Sequence, residues 1–246
     1  MEKKTETGRW RMPAERWPSA AITREPDPDN AGVGRPHCCP SGVLSRRLFS
    51  LPRKRQEEIT VRNQHLRMLC EGAVFVALAQ ILSMLKLWEM PWGGSITLGM
   101  LPIFLFAVRW GTKWGLVGGF AYGLLQVIFD GGFAISWQSI LGDYLVAFTV
   151  LGLAGLARGK EKGIFWGTLL GAVARFLVHW VVGATVWAMY MPESFFGMTM
   201  TSPWFYSLLY NGFYMLIDTV LCLAVFALLF RPMHRYLTGA DIAPSR

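Results

Sequence analysis

An apolar run between Ile164 and Tyr190 constrains the fold of this chain more than any other feature. It is long enough to cross a bilayer as a helix, which needs about 20 residues. The run nevertheless contains Arg175, His179 and Trp187, whose side chains fall within an arc of about 120° on an ideal helix. Ionisable groups at membrane depth usually face a protein interior or a wet cavity. We therefore expect this side of the helix to line a site, and an ordinary polar contact between helices is the simpler alternative.

Five further apolar runs predict an all-α integral membrane protein with six transmembrane helices. An apolar content of 53% and a charged content of 16% agree with that class. In chain order, the predicted spans are Leu69–Leu87, Pro91–Val108, Trp114–Phe129, Trp137–Ala157, Ile164–Tyr190 and Trp204–Phe230.

Lysine and arginine occur in alternate connections between these spans. They precede the first span, join spans two and three, join spans four and five, and follow span six, whereas the other three connections contain neither residue. Cytoplasmic loops carry an excess of Lys and Arg. The pattern therefore predicts a multi-pass protein of the cell membrane with both termini in the cytoplasm.

Composition divides the chain into three segments. Residues 1–60 are rich in Pro, Arg, Glu and Gly and contain no long apolar run, so we expect a disordered N-terminal extension. Residues 61–236 hold the six predicted spans and form the expected membrane domain. Residues 237–246 are expected to be a short cytoplasmic tail.

Polar and aromatic side chains concentrate in the outer half of the predicted bundle. One carboxylate, several aromatic rings and two neutral polar groups suit an aromatic, cationic solute, because ring faces and a buried carboxylate both attract cations. An interfacial belt of Trp and Tyr is the alternative, but it does not explain Asp143 or Asn211. The candidate ligand-binding residues are Asp143, Tyr144, His179, Trp187, Tyr206, Asn211 and Tyr122, with Trp92 and Phe133 in the outer connections.

Two further pairs have expected roles of their own. Arg175 and Asp218 lie at similar depth on spans five and six, so we expect a structural ion pair between them. Ala73 and Ala77 lie four residues apart on span one, and small residues at that spacing allow another helix to approach closely. Internal packing and docking of a partner explain the alanines equally well.

Several functions are not supported by the sequence. No GxxxxGK[ST] motif is present, so we do not expect the chain to hydrolyse ATP itself. No hydrolase motif or Cys/His spacing indicates a metal or other cofactor. The net charge of +8 gathers at segment ends, which indicates membrane topology and not nucleic-acid binding.

From about Asn63 to Phe230, the chain resembles the thiamin-specific substrate-binding (S) component of energy-coupling factor transporters, the ThiT or YuaJ type. The resemblance rests on six stretches in the same order: EGAVFVALA, GGSITLGMLPIF, GLVGGFAYGLLQ, DYLVAFTVLGLAGL, ARFLVHWVVGATVW and YSLLYNG. It implies the S-component fold, no enzymatic activity and a partnership with a transmembrane coupling subunit and two ATPase subunits.

The resemblance also implies roles for the candidate residues. It assigns Asp143 to the cation, Trp187 to ring stacking, and Ala73 and Ala77 to docking of the coupling subunit. His179 takes the place of the family histidine. The other implied pocket positions are Tyr144, Tyr206, Asn211 and Tyr122.

The sequence departs from the family pattern in several places. Asp143 is one methylene shorter than the usual Glu, Phe133 replaces a tyrosine, Trp92 aligns loosely, and Thr97 stands where some members have an acidic residue. These departures affect individual contacts more than the class of ligand.

Two other functions remain compatible with the residues. One is an S component for another cationic or aromatic vitamin or a thiamin precursor. The other is a membrane enzyme that uses His179 and Asp143 as an acid–base pair.

Overall fold

The computed structural model describes residues 53–90, 94–130 and 134–242, and helices dominate them. We number the elements in chain order. The helices are α1 (Arg53–Met84), α2 (Met100–Trp110), α3 (Thr112–Asp130), α4 (Trp137–Ala157), α5 (Gly163–Thr185), α6 (Pro203–Phe230) and α7 (His234–Leu237). Two antiparallel hairpins connect them, β1 (Trp88–Glu89) with β2 (Ser95–Ile96) and β3 (Ser194–Phe195) with β4 (Met198–Thr199).

Four of the described helices are long and apolar enough to cross a membrane, which supports a membrane protein. They are α1 from Val61, α4, α5 and α6. Helix α3 coincides with the third predicted span, whereas α2 has only eleven residues. The predicted second span, Pro91–Val108, began too early because residues from Ser95 pair in a hairpin and the helix begins only at Met100.

Helix α2 lies at the centre of the bundle. Residues 102–110 are all buried, and α1, α3, α4 and α5 pack around them. Helices α3 and α4 approach so closely that a Cβ atom on Gly152 would overlap the backbone of Leu116. Small residues at helix contacts let backbones come together, which is the usual way for membrane helices to pack.

Helix α4 changes its winding along its length. After one α-helical turn it is π-helical from Ile140 to Val146, α-helical at Ala147–Thr149, and 3-10-helical from Val150 to Ala157. Single π-helical turns inside helices often occur at functional sites. The π-helical segment contains Asp143 and therefore sets the direction of that side chain.

A buried arginine organises one end of the bundle. The Arg109 side chain is fully buried, and its guanidinium lies 3.1 Å from Glu71 and 2.9 Å from Asp241. It also stacks on the Tyr236 ring at 3.5 Å. Because a buried guanidinium needs both counter-charge and hydrogen bonds, these contacts hold the C-terminal segment against α1 and α2.

The ends of the membrane domain differ from the sequence-based boundaries. Helix α1 begins at Arg53, within the segment that was expected to be an extension. The residues up to Ile242 pack on the bundle, and Asp241 accepts hydrogen bonds from both Arg67 and Arg109. The described part of the expected C-terminal tail is therefore integrated into the fold.

Candidate functional site

A cavity of about 430 Å³ lies at the opposite end of the bundle from Arg109. Residues of α1, β2, α3, α4, α5 and α6 line it. All of the predicted ligand-binding residues that the structure describes contribute to its wall, namely Asp143, Tyr144, His179, Trp187, Tyr206, Asn211 and Tyr122. Trp92 and Phe133 lie outside the described residues. Ligand pockets typically enclose 300–1,000 Å³, so this cavity is large enough for a small organic molecule.

The Asp143 carboxylate is the centre of one wall. Oδ1 lies 3.0 Å from His179 Nδ1, while Oδ2 accepts hydrogen bonds from Trp187 Nε1 at 2.8 Å and Ser139 Oγ at 2.9 Å. The side chain is only 15% exposed. A carboxylate needs such donors when it is removed from water, and three donors hold it in a fixed orientation.

Arg175 fixes the tautomer of His179. The guanidinium Nε donates to His179 Nε2 at 3.3 Å, so Nε2 carries no proton. Nδ1 therefore carries the imidazole proton and donates it to Asp143, which makes the histidine neutral. The guanidinium also lies 4.2 Å above the Phe148 ring, a typical cation–π contact.

Trp187 reaches the carboxylate because α5 loosens at its end. The helix ends at Thr185, and the backbone N–H of Trp187 donates to the Val182 carbonyl, five residues earlier. This turn carries the indole over the cavity, where its ring centroid lies 5.7 Å from that of Tyr190. The indole therefore offers both a ring face and the N–H that orients Asp143.

Asn211 joins α6 to α5 at the cavity wall. Its Nδ2 atom donates to the His179 carbonyl at 3.3 Å and to Ser207 Oγ at 3.1 Å, and its Oδ1 atom accepts from the Tyr214 hydroxyl at 3.0 Å. Ser207 Oγ in turn donates to the Trp180 carbonyl. This network positions the amide and the histidine backbone relative to each other.

Helix α6 brings Tyr206 to the same wall. Ser202 caps the helix through its side-chain oxygen and Pro203 occupies the first turn, a combination that favours helix initiation. Tyr206 packs edge-on against Phe195 of β3, with ring centroids 5.4 Å apart. The second hairpin therefore supports this part of the aromatic wall.

A charged cluster borders the cavity beside Tyr144. Lys86 Nζ lies 2.8 Å from Glu89 and 3.2 Å from Asp130, and the Tyr144 hydroxyl donates to the Asp130 carbonyl. Burial alone would lower the pKa of Lys86, but its hydrogen bonds to the two carboxylates outweigh burial and raise the pKa above the usual 10.5. Lys86 is therefore charged at physiological pH and links the ends of α1 and α3.

The expected ion pair between Arg175 and Asp218 is not formed in the described structure. The Asp218 carboxylate is turned toward β2 and accepts the Thr97 backbone N–H at 2.8 Å, whereas Arg175 contacts His179 and Phe148. The prediction was wrong because similar depth on neighbouring helices does not determine which way a side chain points. Asp218 instead fixes the strand that leads into α2.

Ala73 and Ala77 lie on an exposed face of α1. Both are exposed, as are the neighbouring Val74 and Leu78, whereas Phe75 points into the core. The two alanines therefore do not serve internal packing in the described structure.

Sequence reasoning missed the contribution of α1 to the cavity and, on α3, identified only Tyr122. Gln80, Ser83 and Gln126 line it and are buried. Each is a polar residue within an apolar run, and this signal could have identified them. Arg175, for which we also expected an ion pair with Asp218, lines the cavity on the same side of α5 as His179.

Within the described parts of the chain, no group of three or more His, Cys, Asp or Glu residues could hold a metal ion. The wall chemistry is that of a binding site, with one oriented carboxylate, neutral donors and acceptors, and aromatic faces. Asp143 and His179 already form a hydrogen bond with each other.

Comparison with known proteins identifies relatives of the chain. The model of the thiamine transporter protein family (Thia_YuaJ) matches residues 69–238. The thiamine transporter ThiT of Bacillus subtilis is 34% identical over 191 residues, which cover 72% of this chain and 96% of that protein. ThiT of Lacticaseibacillus paracasei is 29% identical over 187 residues, which cover 68% and 89%.

The fold has a counterpart among solved structures. A structure of ThiT from Listeria monocytogenes superposes with a TM-score of 0.61 and 22% sequence identity, over 70% of this chain and 98% of that one. This similarity concerns the fold, and the family model and the Bacillus relative establish the family. The chain is therefore a member of the thiamine transporter protein family, a family of transport proteins and not of enzymes.

Proposed function

We propose that this protein is the membrane-embedded substrate-binding subunit that captures thiamin outside the cell and delivers it through an ATP-driven energy-coupling factor complex. The family supports thiamin as the transported ligand. The binding residues are inferred from the geometry described above, the topology from the placement of the basic residues, and the partner subunits from the resemblance to S components.

The observation that carries the proposal is the environment of Asp143. Its three described hydrogen-bond partners, the neutral imidazole of His179, the indole of Trp187 and the hydroxyl of Ser139, all lack a positive charge. No lysine or arginine nitrogen lies within ion-pair distance of this carboxylate among the residues that the structure describes. Its charge is oriented by neutral donors, and a cationic ligand would neutralise it.

Thiamin matches this arrangement in charge and in shape. It consists of a cationic thiazolium ring and a flat aminopyrimidine ring, so it needs a carboxylate and aromatic faces. The cavity supplies Asp143 together with Trp187 and Tyr144, and Asn211 and His179 line the same space. We propose these residues, with Tyr206, Tyr122, Trp92 and Phe133, as the thiamin-binding set.

Basic residues support a topology with both termini in the cytoplasm. Arg109 and Arg158 meet at one end of the bundle, where Arg158 donates to the Trp110 carbonyl at 3.1 Å. The cavity lies at the other end. Because basic connections favour the cytoplasmic side, we propose six transmembrane helices in the cell membrane, with the cavity toward the outside.

Energy input requires partner proteins. The sequence contains no ATP-binding motif of the Walker type, so the energy would come from other proteins. The resemblance to S components implies that these are a transmembrane coupling subunit and two ATPase subunits. The exposed Ala73 and Ala77 of α1 offer a close-approach surface for the coupling subunit.

A ligand titration tests the proposal. Thiamin should quench the tryptophan fluorescence of the purified protein, and Trp187→Ala should remove most of the quench. Trp166→Ala is the matched control, because Trp166 is 63% exposed and is not part of the cavity wall, so its quench should match that of the wild type. Competition with the isolated pyrimidine fragment distinguishes thiamin from a precursor as the preferred ligand. No quench and no thiamin in the purified protein by mass spectrometry would contradict the proposal.

The proposed membrane domain can be tested by truncation. A chain that begins at Arg53, where α1 begins, should bind thiamin as the full-length chain does. Loss of binding would show that the preceding residues belong to the binding unit.

A further inference from the structure

Gln80 presents an unsatisfied polar group at the cavity. It lies on the inner face of α1 with Ser83 and Met84, and all three line the cavity. Its side chain is well buried, since the residue is 7% exposed, yet Oε1 accepts no hydrogen bond within the described residues. A buried acceptor without a donor destabilises a protein, so such a group indicates a partner that is supplied from elsewhere.

The other neutral groups on this wall already have partners. Ser83 Oγ donates to the Gln80 backbone carbonyl at 2.8 Å, and Gln126 Nε2 donates to the Tyr122 hydroxyl at 2.8 Å. Tyr122 is further held by Phe148, with ring centroids 4.8 Å apart. Gln80 Oε1 is thus the amide oxygen of this wall that is both buried and without a donor among the described residues.

The chemistry of Gln80 differs from that of the wall around Asp143. A carboxylate with aromatic neighbours suits the cationic ring of a ligand, whereas an amide is neutral and both donates and accepts hydrogen bonds. An alcohol also donates through its O–H and accepts through its oxygen. An amide can therefore hydrogen-bond to an alcohol without leaving an unpaired charge in the cavity.

We propose that the terminal amide of Gln80 turns toward the bound ligand and forms a subsite for its alcohol group, with the alcohol O–H donating to the amide oxygen. This inference rests on the proposed function, because it uses the hydroxyethyl group of thiamin as the alcohol. It assigns to α1 a role in ligand selection, in addition to any role of its exposed face in docking.

The experiment compares thiamin with the analogue in which an ethyl group replaces the hydroxyethyl group. In the wild type, removing the hydroxyl should weaken binding about tenfold, the effect of one hydrogen bond to a buried partner. In Gln80→Met, the two ligands should bind within about twofold of each other, and the analogue should bind as it does to the wild type. Methionine keeps the length of the side chain and removes the amide.

Gln126→Met is the matched control, because Gln126 has the same side chain, the same 7% exposure and a place on the same wall, but its Nε2 atom donates to Tyr122 and its oxygen is not a buried, unsatisfied acceptor among the described residues. This variant should weaken both ligands alike and keep the tenfold difference between them. The ligand-free Gln80→Met protein should unfold at the same temperature as the wild type or higher, since an unsatisfied buried acceptor is removed.

Three outcomes would overturn the subsite. The first is equal binding of the two ligands to the wild type, and the second is an undiminished tenfold difference in Gln80→Met. The third is loss of the difference in Gln126→Met alone, which would move the alcohol to Gln126. In all three, thiamin still binds, so the proposed function survives. Failure of the wild type to bind thiamin would instead contradict the proposed function.

Discussion

His179 Nδ1 lies 3.0 Å from Asp143 Oδ1, and the Arg175 guanidinium holds the other side of the same imidazole. The three side chains form a chain of contacts from α5 to α4. In this chain the arginine orients the histidine and the histidine orients the carboxylate. A mutation at any of the three positions therefore affects where the negative charge of the cavity points.

Asp143→Asn should weaken thiamin binding by roughly 10- to 100-fold, because it removes the charge while keeping the shape of the side chain. Titration of the purified variant by fluorescence or calorimetry measures this loss. The melting temperature without ligand should also fall modestly, since the amide oxygen can still accept from Ser139 and Trp187 but the amide nitrogen would face the His179 Nδ1 proton. Unchanged affinity would show that Asp143 does not bind the cation.

Trp187→Phe and Trp187→Ala separate the two contributions of the indole. Phenylalanine keeps a ring face but cannot donate to Asp143, so its affinity for thiamin should fall between those of the wild type and the alanine variant. Calorimetry measures all three proteins without relying on the tryptophan signal. Equal affinities for phenylalanine and alanine would mean that the hydrogen bond, and not stacking, carries the contribution of Trp187.

Gly183→Ala should destabilise the cavity wall by about 1–3 kcal/mol, as overpacking typically does. A Cβ atom there would overlap Ser207 Oγ and would lie 2.9 Å from Asn211 Nδ2, so both side chains must shift and their hydrogen bonds to α5 are disturbed. Thermal unfolding and thiamin titration check this together, and both the melting temperature and the affinity for thiamin should fall. Gly212→Ala is the control, because a Cβ atom there would meet its nearest neighbour, Phe176, at an ordinary 3.8 Å.

Ala77→Trp should prevent assembly with the coupling subunit while thiamin binding by the isolated protein is retained. A large side chain on the exposed face of α1 keeps another helix at a distance. Co-purification with tagged ATPase subunits measures assembly. Val117→Trp, on the exposed part of α3, is a control that should assemble normally. Normal assembly of Ala77→Trp would place the docking surface elsewhere.

Asp241→Asn should lower the free energy of unfolding by about 1–2 kcal/mol at neutral pH, because Arg109 loses a charged partner. Burial alone would raise the pKa of Asp241, but the hydrogen bonds from Arg109 and Arg67 outweigh it and hold the pKa below 3.8. A lowered pKa stabilises the folded state above the unfolded pKa, and this stabilisation is lost as the pH falls through the folded pKa.

The difference in stability between the wild type and Asp241→Asn should therefore be constant above about pH 5 and should shrink below pH 4. Denaturant unfolding at several pH values measures it. A difference that is independent of pH down to pH 2 would contradict an ionic role for Asp241.

The sequence predicted the helical class and several residues that line the cavity, because both follow from polarity within apolar runs. Asp143, His179 and Asn211 stood out as polar residues at membrane depth, and all three line one cavity. The aromatic candidates were named from their depth and ring chemistry, and the resemblance then favoured a pocket over an interfacial belt of Trp and Tyr.

Three details could not be predicted, for physical reasons. The pairing of Asp218 with the Thr97 N–H depends on how β2 packs against α6, which leaves no periodic signal. The first hairpin replaces helix at Ser95 because backbone pairing there competes with helix formation. The ordering of the C-terminal segment depends on Arg109, a residue more than 120 positions away.

The π-helical segment Ile140–Val146 has a consequence for how this carboxylate could change. A regular helix over the same depth would need one residue fewer, so deleting one residue would close the wide turn and reorient the side chains within it while the flanking parts of α4 keep their register. Asp143 would then swing away from Trp187, although every amino acid that contacts it remained. The direction of the Asp143 carboxylate therefore depends on the number of residues in α4. A single-codon deletion would change that direction more completely than most substitutions.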